Sequence, residues 1–252
     1  NWKWKYNNEK RQYDWYKSIY KKKKKHIGSG NFGDVYTVRD NKTNKILAAK
    51  VFKDEIISND ETALKNLKRE VSIISRVQHP SIIQFIGLSM KDFDNNDKPV
   101  IITNYIPNGS LKNLLDLSEK CRAPEKFNDT KKLIIIYGIA ASMQFLHSHQ
   151  ILHRDLKPDN ILMDSSYYPI LADFGISKDQ NNLEISIAGI KGTPIYLSPE
   201  IWEDLYYSKA SDVYAFSLIV YEIIANEKPF NFENMSIYRF QRYIMNGNRP
   251  DT

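Results

Sequence analysis

Short apolar stretches separated by tight turns fill the first part of the chain, and longer apolar stretches fill the second. Apolar residues cluster or alternate over 35–38, 46–51, 82–88 and 100–105, with polar turns at 40–42 and 92–98. Short runs bounded by glycine, asparagine or aspartate are typical of β-strands. The pattern therefore predicts a β-rich first part.

Helices are predicted around and after these strands. Between residues 64 and 77 the apolar residues recur at spacings of three and four, and Pro80 ends the pattern because the residue before a proline avoids helical geometry. After a break at 107–109, helices are predicted at 110–119, 131–147 and 213–225. The last is apolar nearly all round, so burial on every side is expected. Strands first and helices afterwards predict an α+β protein in two lobes, with a boundary near 106–109.

Composition narrows the class of protein. The chain has 252 residues, 42% hydrophobic and 26% charged, which suits one large globular domain or two lobes. Its single cysteine, Cys121, excludes a disulfide framework and a cysteine-based metal site, and it favours a reducing, cytoplasmic location. No apolar run approaches the roughly 18 residues that cross a bilayer.

Positive charge is concentrated near the beginning of the chain. The net charge is +6, and lysines occupy 21–25 at the end of a basic and aromatic leader, residues 1–26. Basic runs with aromatic residues bind nucleic acid or anionic lipid in some proteins, whereas lysines on a solvated edge strand deter edge-to-edge pairing. The edge-strand interpretation is favoured, so no nucleic-acid partner is expected.

Residues 28–35 fit the pattern G-x-G-x-x-G-x-V, whose glycines allow the backbone to approach a phosphate closely. A dinucleotide-binding fold has similar glycines, but there they continue directly into a helix. Here they continue into the strand-like residues 35–38. A glycine loop between two strands, folded over phosphates, is therefore favoured.

A lysine and a glutamate occupy apolar surroundings in the first part of the chain. Lys50 lies within the apolar strand predicted at 46–51, and a lysine on a half-buried face needs an anionic partner. Glu70 lies three residues after Leu67 and four before Ile74, on the core-facing side of its helix. We therefore expect Lys50 and Glu70 to form an ion pair.

A dense polar segment, residues 153–160, follows the helix predicted at 131–147. Such polar density between apolar elements is unfavourable unless it serves a site. Asp173 comes 13 residues after Asn160, an interval that fits a small hairpin returning Asp173 beside Asn160. Their oxygen atoms together can hold Mg²⁺, which prefers hard oxygen ligands and shares its coordination shell with nucleotide phosphates.

Taken in order, these motifs resemble the signature set of eukaryotic protein kinases, over about 27–250. The resemblance rests on the glycine loop, Lys50, Glu70, the segment 153–160 and the sequence Asp173-Phe174-Gly175. It implies a two-lobed α+β fold: a small β-rich N-lobe with one main helix at 27–105, a hinge at 104–109 and a larger helical C-lobe at 110–252. ATP is the implied nucleotide, and Mg²⁺ or Mn²⁺ the implied metal.

The resemblance also implies a role for each matching residue. Asp155 would orient the substrate hydroxyl and accept its proton, with Lys157 beside it. Lys50, paired with Glu70, would hold the α- and β-phosphates. The metal would be bound by Asn160 and Asp173. The other nucleotide contacts would come from Gly28, Ser29, Gly30, Asn31, Phe32, Gly33, Val35, Ala48, Thr103, Asn104, Ile106 and Leu162.

Protein substrates with serine or threonine acceptors are the implied partners. Lys157, together with Gly192-Thr193-Pro194, resembles serine/threonine kinases, because tyrosine kinases usually carry an arginine near the position of Lys157. The sequences at 105–111, 211–216 and 246–250 resemble the tyrosine-kinase-like group of serine/threonine kinases. The alternative is a pseudokinase that acts as a scaffold, although no catalytic position is degraded here.

Regulation by phosphorylation is a further expectation. Arg154 directly precedes the catalytic aspartate, and such an arginine can pair with a phosphate on the segment between residues 173 and 200. Ser186 is the preferred phosphorylation site and Ser177 a weaker candidate. Thr193 is expected to contact Asp155 and its neighbouring lysine, which makes it a structural residue more than a switch.

Two departures from the kinase pattern carry expectations of their own. Ser198 stands where the family usually has alanine. The sequence ends at Thr252, whereas kinases continue for a few tens of residues, including an arginine that pairs with the glutamate equivalent to Glu200. We therefore expect a C-lobe truncated at its end, of reduced stability, that self-associates through uncovered apolar surface.

Overall fold

The computed structural model describes residues 25–29, 33–53, 61–175, 177–179, 192–230 and 235–250. These residues fall into two compact units, one formed by residues up to 78 with 83–106 and the other by residues 79–82 with those from 107 onwards. Within the described ranges, no helix combines the length and the apolarity needed to span a bilayer.

The first unit is built on a five-stranded antiparallel sheet with the strand order β1-β2-β3-β5-β4. Along β3, Leu47 and Ala49 are buried in the core, so Ala48 and Lys50 lie on the opposite face of the sheet. A Cβ at Gly33 would lie 2.3 Å from the carbonyl oxygen of Val51, so only glycine allows β2 to approach β3 this closely. The strands are β1 Lys25–Ser29, β2 Gly33–Arg39, β3 Ile46–Phe52, β4 Phe85–Ser89 and β5 Val100–Asn104.

Within the described residues of this unit, helix α1 (Glu61–Ile74) accompanies the sheet. Leu67 and Ile74, two residues of the predicted apolar face, are buried, and Ile73 is buried beside them. The helix ends earlier than the apolar pattern, and Val77 is buried beyond its last turn. Strand β4 begins at residue 85 and not at 82, because Ile82 forms a bridge with Leu171 within the second unit.

Five α-helices form the described part of the second unit: α2 Leu111–Glu119, α3 Asp129–Ser148, α4 Pro199–Asp204, α5 Lys209–Ala225 and α6 Ile237–Met245. Most begin at a side chain that satisfies a free backbone N–H group of the first turn. Ser110, Asn128, Ser208 and Ser236 each accept a hydrogen bond from the backbone N–H three residues later. A serine or an asparagine thus caps the N-terminus of four of these five helices.

Helix α5 lies against the main aromatic cluster of this unit. Its residue Leu218 packs in one core with Trp202 of α4 and Phe240 of α6. However, Val213 and Ile224 are 51% and 56% exposed, so the expectation that this helix is buried on every side is wrong. These two residues lie on the part of the helix surface that the other described elements leave open.

Two short antiparallel pairs bring the polar segments of this unit together. Strand β6 (Ile151–Leu152) pairs with β9 (Lys178–Asp179), and β7 (Ile161–Met163) pairs with β8 (Pro169–Leu171). The segment 153–160 connects β6 to β7 and ends in a 3-10 turn, Pro158–Asn160. An antiparallel sheet in one unit and helices in the other confirm the predicted two-lobed α+β fold.

Candidate active site

The glycine motif lies at the junction of two paired strands. Gly28 is opposite Val35 and Ser29 is opposite Asp34 in the antiparallel pair formed by β1 and β2. As predicted from the sequence, the motif therefore lies between two strands and does not lead into a helix. Three of the predicted nucleotide contacts, Gly30, Asn31 and Phe32, lie outside the described residues.

Lys50 and Glu70 form the predicted ion pair. Lys50 Nζ lies 3.0 Å from Glu70 Oε1, and the two side chains are 19% and 6% exposed. Strand β3 supplies the lysine and helix α1 the glutamate, so the pair connects the sheet to its helix. The buried carboxylate compensates the charge of Lys50 and holds its ammonium group in one place.

Strand register places several predicted nucleotide contacts on one face of the sheet. Val35 is opposite Lys50, and Thr103 is opposite Ala48. Paired residues of neighbouring strands share a face, and so do residues two apart along a strand. Val35, Ala48, Lys50 and Thr103 therefore share the face opposite the buried Ala49. Together they combine a cation with small or apolar neighbours.

The remaining predicted contacts lie at the end of the first unit and in the second. Asn104 Nδ2 donates to Gln84 Oε1 at 2.7 Å, and Ile106 ends the first unit. In the second unit, Leu162 is half-buried in β7 and forms a bridge with Ser110.

A closed set of hydrogen bonds surrounds Asp155. Its Oδ2 lies 2.9 Å from Lys157 Nζ and accepts a hydrogen bond of 3.0 Å from Asn160 Nδ2. Its Oδ1 accepts one of 3.0 Å from the hydroxyl of Thr193, which in turn accepts one of 2.7 Å from Lys157 Nζ. The predicted contacts of Thr193 are thus present. The carboxylate is fixed in one orientation by three side chains, two from its own loop and one from a distant segment.

A second buried carboxylate, Asp212 of α5, anchors the loop that carries Asp155. Its Oδ2 accepts a hydrogen bond from His153 N and its Oδ1 one from Arg154 N, both 2.9 Å long. Asp212 is 3% exposed, and His147 Nε2 also lies 2.9 Å from Oδ2. Sequence reasoning missed this anchor, although a carboxylate in a strongly apolar helix is a visible signal.

Asn160 and Asp173 are brought to the same region by the β7–β8 pair. The backbone N–H of Ala172 donates to Asn160 O at 2.8 Å. Asp173 has a positive φ of 58°, and its Oδ1 accepts from Gly175 N at 3.3 Å. Aspartate is among the few residues that adopt this conformation readily, and functional sites often contain such backbone strain.

The donor set at this position suits a hard divalent cation. The side-chain nitrogen Nδ2 of Asn160 donates to Asp155 O and Oδ2, and neither hydrogen bond involves the Asn160 side-chain oxygen. No three histidine, cysteine, aspartate or glutamate side chains gather as a metal site within the described ranges. Asn160 and Asp173 would supply two oxygen ligands, and nucleotide phosphates and water would complete the shell of a hard divalent cation.

One of the two predicted phosphorylation sites, Ser177, lies within the described residues. Ser177 is fully buried and its hydroxyl donates to His153 O at 3.0 Å, so it is not accessible to phosphoryl transfer. The burial of Ser177 therefore contradicts its selection as a second, weaker candidate for phosphorylation. Ser186, the preferred site, lies outside the described residues.

A further hydrogen-bonded pair, between a tyrosine and a buried glutamate, was not predicted. The hydroxyl of Tyr196 donates to Glu222 Oε1 at 2.6 Å, and Glu222 is 5% exposed. Burial raises the pKa of Glu222 to about 7, although the hydrogen bond from Tyr196 opposes this shift. Desolvation and the nearby glutamate raise the pKa of Tyr196. This pair links the segment after Thr193 to α5.

Comparison with known proteins decides the family, since the model of the protein kinase domain matches residues 21–247. The chain belongs to the protein kinase domain family. The resemblance seen in the motifs is thereby confirmed at the level of the family.

Several named kinases are similar to this kinase domain. Serine/threonine-protein kinase 36 of Pongo abelii is 31% identical over 81% of the chain, and dual specificity protein kinase pyk3 of Dictyostelium discoideum is 35% identical over 81%. Serine/threonine-protein kinase CTR1 of Arabidopsis thaliana is 31% identical over 82%. The chain spans 14%, 14% and 24% of the lengths of these three relatives.

Proposed function

We propose that this chain is the catalytic domain of a protein serine/threonine kinase, which transfers the γ-phosphoryl group of ATP to serine and threonine hydroxyls of other proteins. The observation that carries the proposal is the fixed carboxylate of Asp155, held by Lys157, Asn160 and Thr193. We assign residues 27–105 to the N-lobe, 104–109 to the hinge and 110–252 to the C-lobe, with 1–26 as a leader.

Asp155 is the proposed acceptor of the substrate proton. Its Oδ2 already has two partners, whereas Oδ1 has one among the described residues and retains capacity for a second hydrogen bond. The acceptor hydroxyl would therefore bind at Oδ1. Lys157, beside this carboxylate, compensates the negative charge that develops as the phosphoryl group is transferred.

The first unit supplies the proposed nucleotide contacts. Lys50, held by Glu70, would neutralise the α- and β-phosphates. Val35 and Ala48, on the same face of the sheet as Lys50, would pack against the adenine ring, as would Leu162. Thr103, on that face as well, would border a pocket behind the adenine. Among the described residues, no atom lies within 4 Å of a Cβ built at Gly28, so packing against them does not require glycine there, and close approach of a ligand is one reason to have it. The other proposed contacts are Ser29, Gly30, Asn31, Phe32, Gly33, Asn104 and Ile106.

Asn160 and Asp173 would hold the metal, which is Mg²⁺ or Mn²⁺ in our proposal. When bound, a divalent cation neutralises phosphate charge and orients the nucleotide. In this chain the side chain of Asn160 has a second task, because its Nδ2 fixes both the backbone and the carboxylate of Asp155. Asn160 would thus serve both to bind the metal and to align the carboxylate of Asp155.

One hydrogen bond and the names of relatives support serine and threonine as the acceptor residues, and sequence segments support the subgroup of kinases. The bond between Lys157 and Thr193 joins the two residues by which the sequence resembles serine/threonine kinases. Two of the three named relatives are serine/threonine-protein kinases and the third is a dual specificity kinase. We place the chain in the tyrosine-kinase-like group on the sequences at 105–111, 211–216 and 246–250.

Regulation and cellular setting complete the proposal. Arg154 would bind a phosphoryl group carried by the segment between residues 173 and 200, with Ser186 as the phosphorylated residue. Thr193 would act by holding Asp155. The exposed, free Cys121 agrees with a reducing cytoplasmic location, and the exposed Val213 and Ile224 support self-association through α5.

The proposal is tested with radiolabelled ATP, Mg²⁺ and a generic protein substrate, followed by phosphoamino-acid analysis. We expect label on serine and threonine, and a loss of several orders of magnitude in kcat for Asp155→Asn with nearly unchanged ATP affinity. Asp204→Asn, an exposed position on α4, is the matched control and should retain full activity. Binding of ATP without turnover by the unmodified chain would identify a pseudokinase and refute the catalytic proposal.

A further inference from the structure

A histidine near the beginning of β1 contacts both strands that carry the glycine motif. His26 Nε2 lies 3.0 Å from Ser29 Oγ of β1 and 4.0 Å from Asp34 Oδ1 of β2. Ser29 and Asp34 are opposite each other and form the last pair of β1 and β2 within the described ranges. One nitrogen atom thus reaches both members of this terminal pair.

Aromatic side chains hold the imidazole on the other side. The ring of His26 meets that of Tyr36 edge to face, with centroids 5.3 Å apart, and Tyr36 meets Phe93 in the same way at 5.4 Å. Tyr36 is opposite His26 in the strand register, and Phe93 belongs to the connection between β4 and β5. Edge-to-face pairs add to the stability that burial alone provides. The position of His26 is therefore fixed by neighbours from β1, β2 and this connection.

The backbone beside His26 is irregular where the glycine motif begins. The register of β1 and β2 shifts between His26 and Gly28, so Ile27 has no opposite residue in β2. An extra residue of this kind interrupts the ladder of hydrogen bonds and bends its strand. The contact from His26 to Ser29 spans this irregular position. It therefore compensates for the pairing that the backbone lacks there.

This contact lies on the face of the sheet away from the proposed nucleotide contacts. Tyr36 is opposite Ala49, which is buried in the core of the first unit, whereas Val35 is opposite Lys50. Successive residues of a strand point to opposite faces, and paired residues share a face. The row that contains His26 and Tyr36 is thus on the side of Ala49. Any influence of His26 on the nucleotide passes through the backbone of the two strands.

A change in the charge of His26 alters its attraction to β2. Histidine is the side chain that ordinarily changes charge between pH 5 and 8, and an imidazolium attracts a carboxylate. Within the described residues, Asp34 is the acidic group at ion-pair distance, and the titratable Tyr36 contacts the ring. Lys25, the preceding residue, points to the other face by the alternation of the strand, and the β4–β5 connection contributes the uncharged ring of Phe93. Because the side chains of His26 and Asp34 are 51% and 37% exposed, solvent screens their attraction and keeps it modest.

We propose that His26 is a positioning residue for nucleotide binding, which holds the ends of β1 and β2 together by contacting Ser29 and Asp34. The inference rests on the proposed function, in which the glycine motif contacts the phosphates of ATP. It adds that the affinity for ATP depends on a side chain outside the motif, whose contribution grows as the pH falls from 8 to 6. Strands that are already held in place lose less conformational entropy when the nucleotide binds. The hydroxyl of Ser29 contacts His26, so the proposed nucleotide contact of Ser29 is left to its backbone.

The experiment measures the dissociation constant (Kd) of ATP with Mg²⁺ by calorimetry at pH 6, 7 and 8, together with KM and kcat. His26→Phe keeps an aromatic ring beside Tyr36 and loses the polar contacts. His26→Gln keeps a hydrogen-bonding group near the position of Nε2 and cannot be protonated. His149→Gln is the matched control, because His149 is an exposed histidine of the second unit, directly after α3. Hydrogen exchange without nucleotide is followed over 25–29 and 33–39.

We expect His26→Phe to raise Kd and KM for ATP about 2- to 10-fold with nearly unchanged kcat, since it loses one hydrogen bond and one weak ion pair. Its two strands should exchange hydrogen faster. His26→Gln should resemble the unmodified protein at pH 8 and bind ATP about 2- to 5-fold more weakly at pH 6. His149→Gln should match the unmodified protein at every pH.

A second substitution tests the pairing of the two side chains. Asp34→Asn removes the carboxylate and should weaken ATP binding at pH 6 in the unmodified background, but not in the background of His26→Gln. Titration of ATP itself is common to all these proteins and cancels in the ratios of Kd. If His26→Phe melts below the assay temperature, Asp34→Asn at pH 6 decides the inference in its place.

The outcomes separate this inference from the proposed function. Equal Kd values for His26→Phe and the unmodified protein at every pH overturn the inference while the proposed function stands. A ratio of Kd between His26→Gln and the unmodified protein that does not vary with pH overturns the role of charge. An unmodified protein that binds no ATP overturns the proposed function itself. Binding without turnover refutes catalysis, and Kd and hydrogen exchange then still decide the role of His26.

Discussion

Thr193 donates a hydrogen bond of 3.0 Å from its hydroxyl to Oδ1 of Asp155. The same hydroxyl accepts a hydrogen bond from Lys157 Nζ. Asp155 and Lys157 belong to the loop between β6 and β7, whereas Thr193 belongs to a separate segment that leads into α4. The orientation of the proposed base therefore depends on the placement of a residue far away in the sequence.

The first prediction concerns a substitution that removes the hydroxyl of Thr193. Thr193→Val keeps the shape of the side chain but loses both hydrogen bonds, one of them to a charged acceptor and the other from a charged donor. Because such bonds each contribute about 1.5–3 kcal/mol, we expect kcat to fall at least 10-fold with little change in KM for ATP. Thr193→Ser, which restores the hydroxyl, is the control. Steady-state kinetics with unchanged kcat for the valine variant would show that Thr193 does not position Asp155.

The second prediction concerns the ion pair of the first unit. Lys50→Met should lose phosphoryl transfer by orders of magnitude because it removes positive charge from the proposed phosphate site. It also leaves Glu70 buried without Lys50, which destabilises a protein by roughly 3–5 kcal/mol when no other partner compensates the charge. The double variant Lys50→Met with Glu70→Gln should regain thermal stability without regaining activity. Kinetics and melting curves on both variants test this, and recovery of turnover in the double variant would exclude Lys50 from the mechanism.

The ion pair could be predicted from the sequence because it involves two charged residues in apolar surroundings, whereas the contacts of Thr193 were expected only from the resemblance to protein kinases. Charged residues in apolar surroundings need partners, and the number of candidate partners is small. The position of the glycine motif between two strands could also be predicted, since strands and helices have different apolar periods. In both cases the pattern of apolar and charged residues close together in the sequence was sufficient for the prediction.

The anchor at Asp212 could not be predicted in the same way. Its partners include the backbone N–H groups of His153 and Arg154, and every non-proline residue has such a group. Which N–H a buried carboxylate meets is determined by tertiary packing. The exposure of Val213 on α5 has the same origin, because an apolar sequence does not specify which neighbours cover each side of a helix.

The third prediction tests the anchor. In Asp212→Asn one carboxylate oxygen becomes an amide nitrogen, which cannot accept a hydrogen bond from a backbone N–H. The loop 153–160 then loses one of its two hydrogen bonds to α5, and we expect kcat to fall about 10-fold or more. Asp204→Asn, on the exposed side of α4, is the matched control. Equal kcat values for Asp212→Asn and the unmodified protein would show that the loop holds its shape without the anchor.

The fourth prediction concerns a buried hydroxyl in the family's alanine position. Ser198 is fully buried and its Oγ has no hydrogen-bond partner within the described part of the chain. A buried hydroxyl without a partner destabilises the folded state by about 1–3 kcal/mol. Ser198→Ala should therefore raise the free energy of unfolding by about 1 kcal/mol. Chemical denaturation of this variant tests the expectation, with Ser217→Ala on the exposed side of α5 as the control. A less stable alanine variant would reveal a partner for Ser198.

The last prediction is a pH dependence of stability that arises from Glu222. Its pKa is raised from 4.5 in the unfolded chain to about 7 in the folded protein, because burial disfavours the charged form. Between these two values the folded state retains a proton that the unfolded chain has released. The contribution of Glu222 to stability therefore falls as the pH rises from about 4.5 to 7 and stays low above 7. The shift corresponds to roughly 3 kcal/mol over this window.

Glu222→Gln isolates this effect. Glutamine cannot ionise, and its side-chain oxygen can still accept the hydrogen bond from Tyr196 that the glutamate accepts. The difference in unfolding free energy between Glu222→Gln and the unmodified protein should shift in favour of the variant as the pH is raised from 5 to 8. Groups that titrate identically in both proteins cancel in this difference, so urea denaturation at several pH values is sufficient. Asp204→Asn should show a difference that does not vary over the same range. If the difference for Glu222→Gln is equally flat, Glu222 does not retain a proton in the folded protein, and hydrogen bonding and nearby charge outweigh its burial.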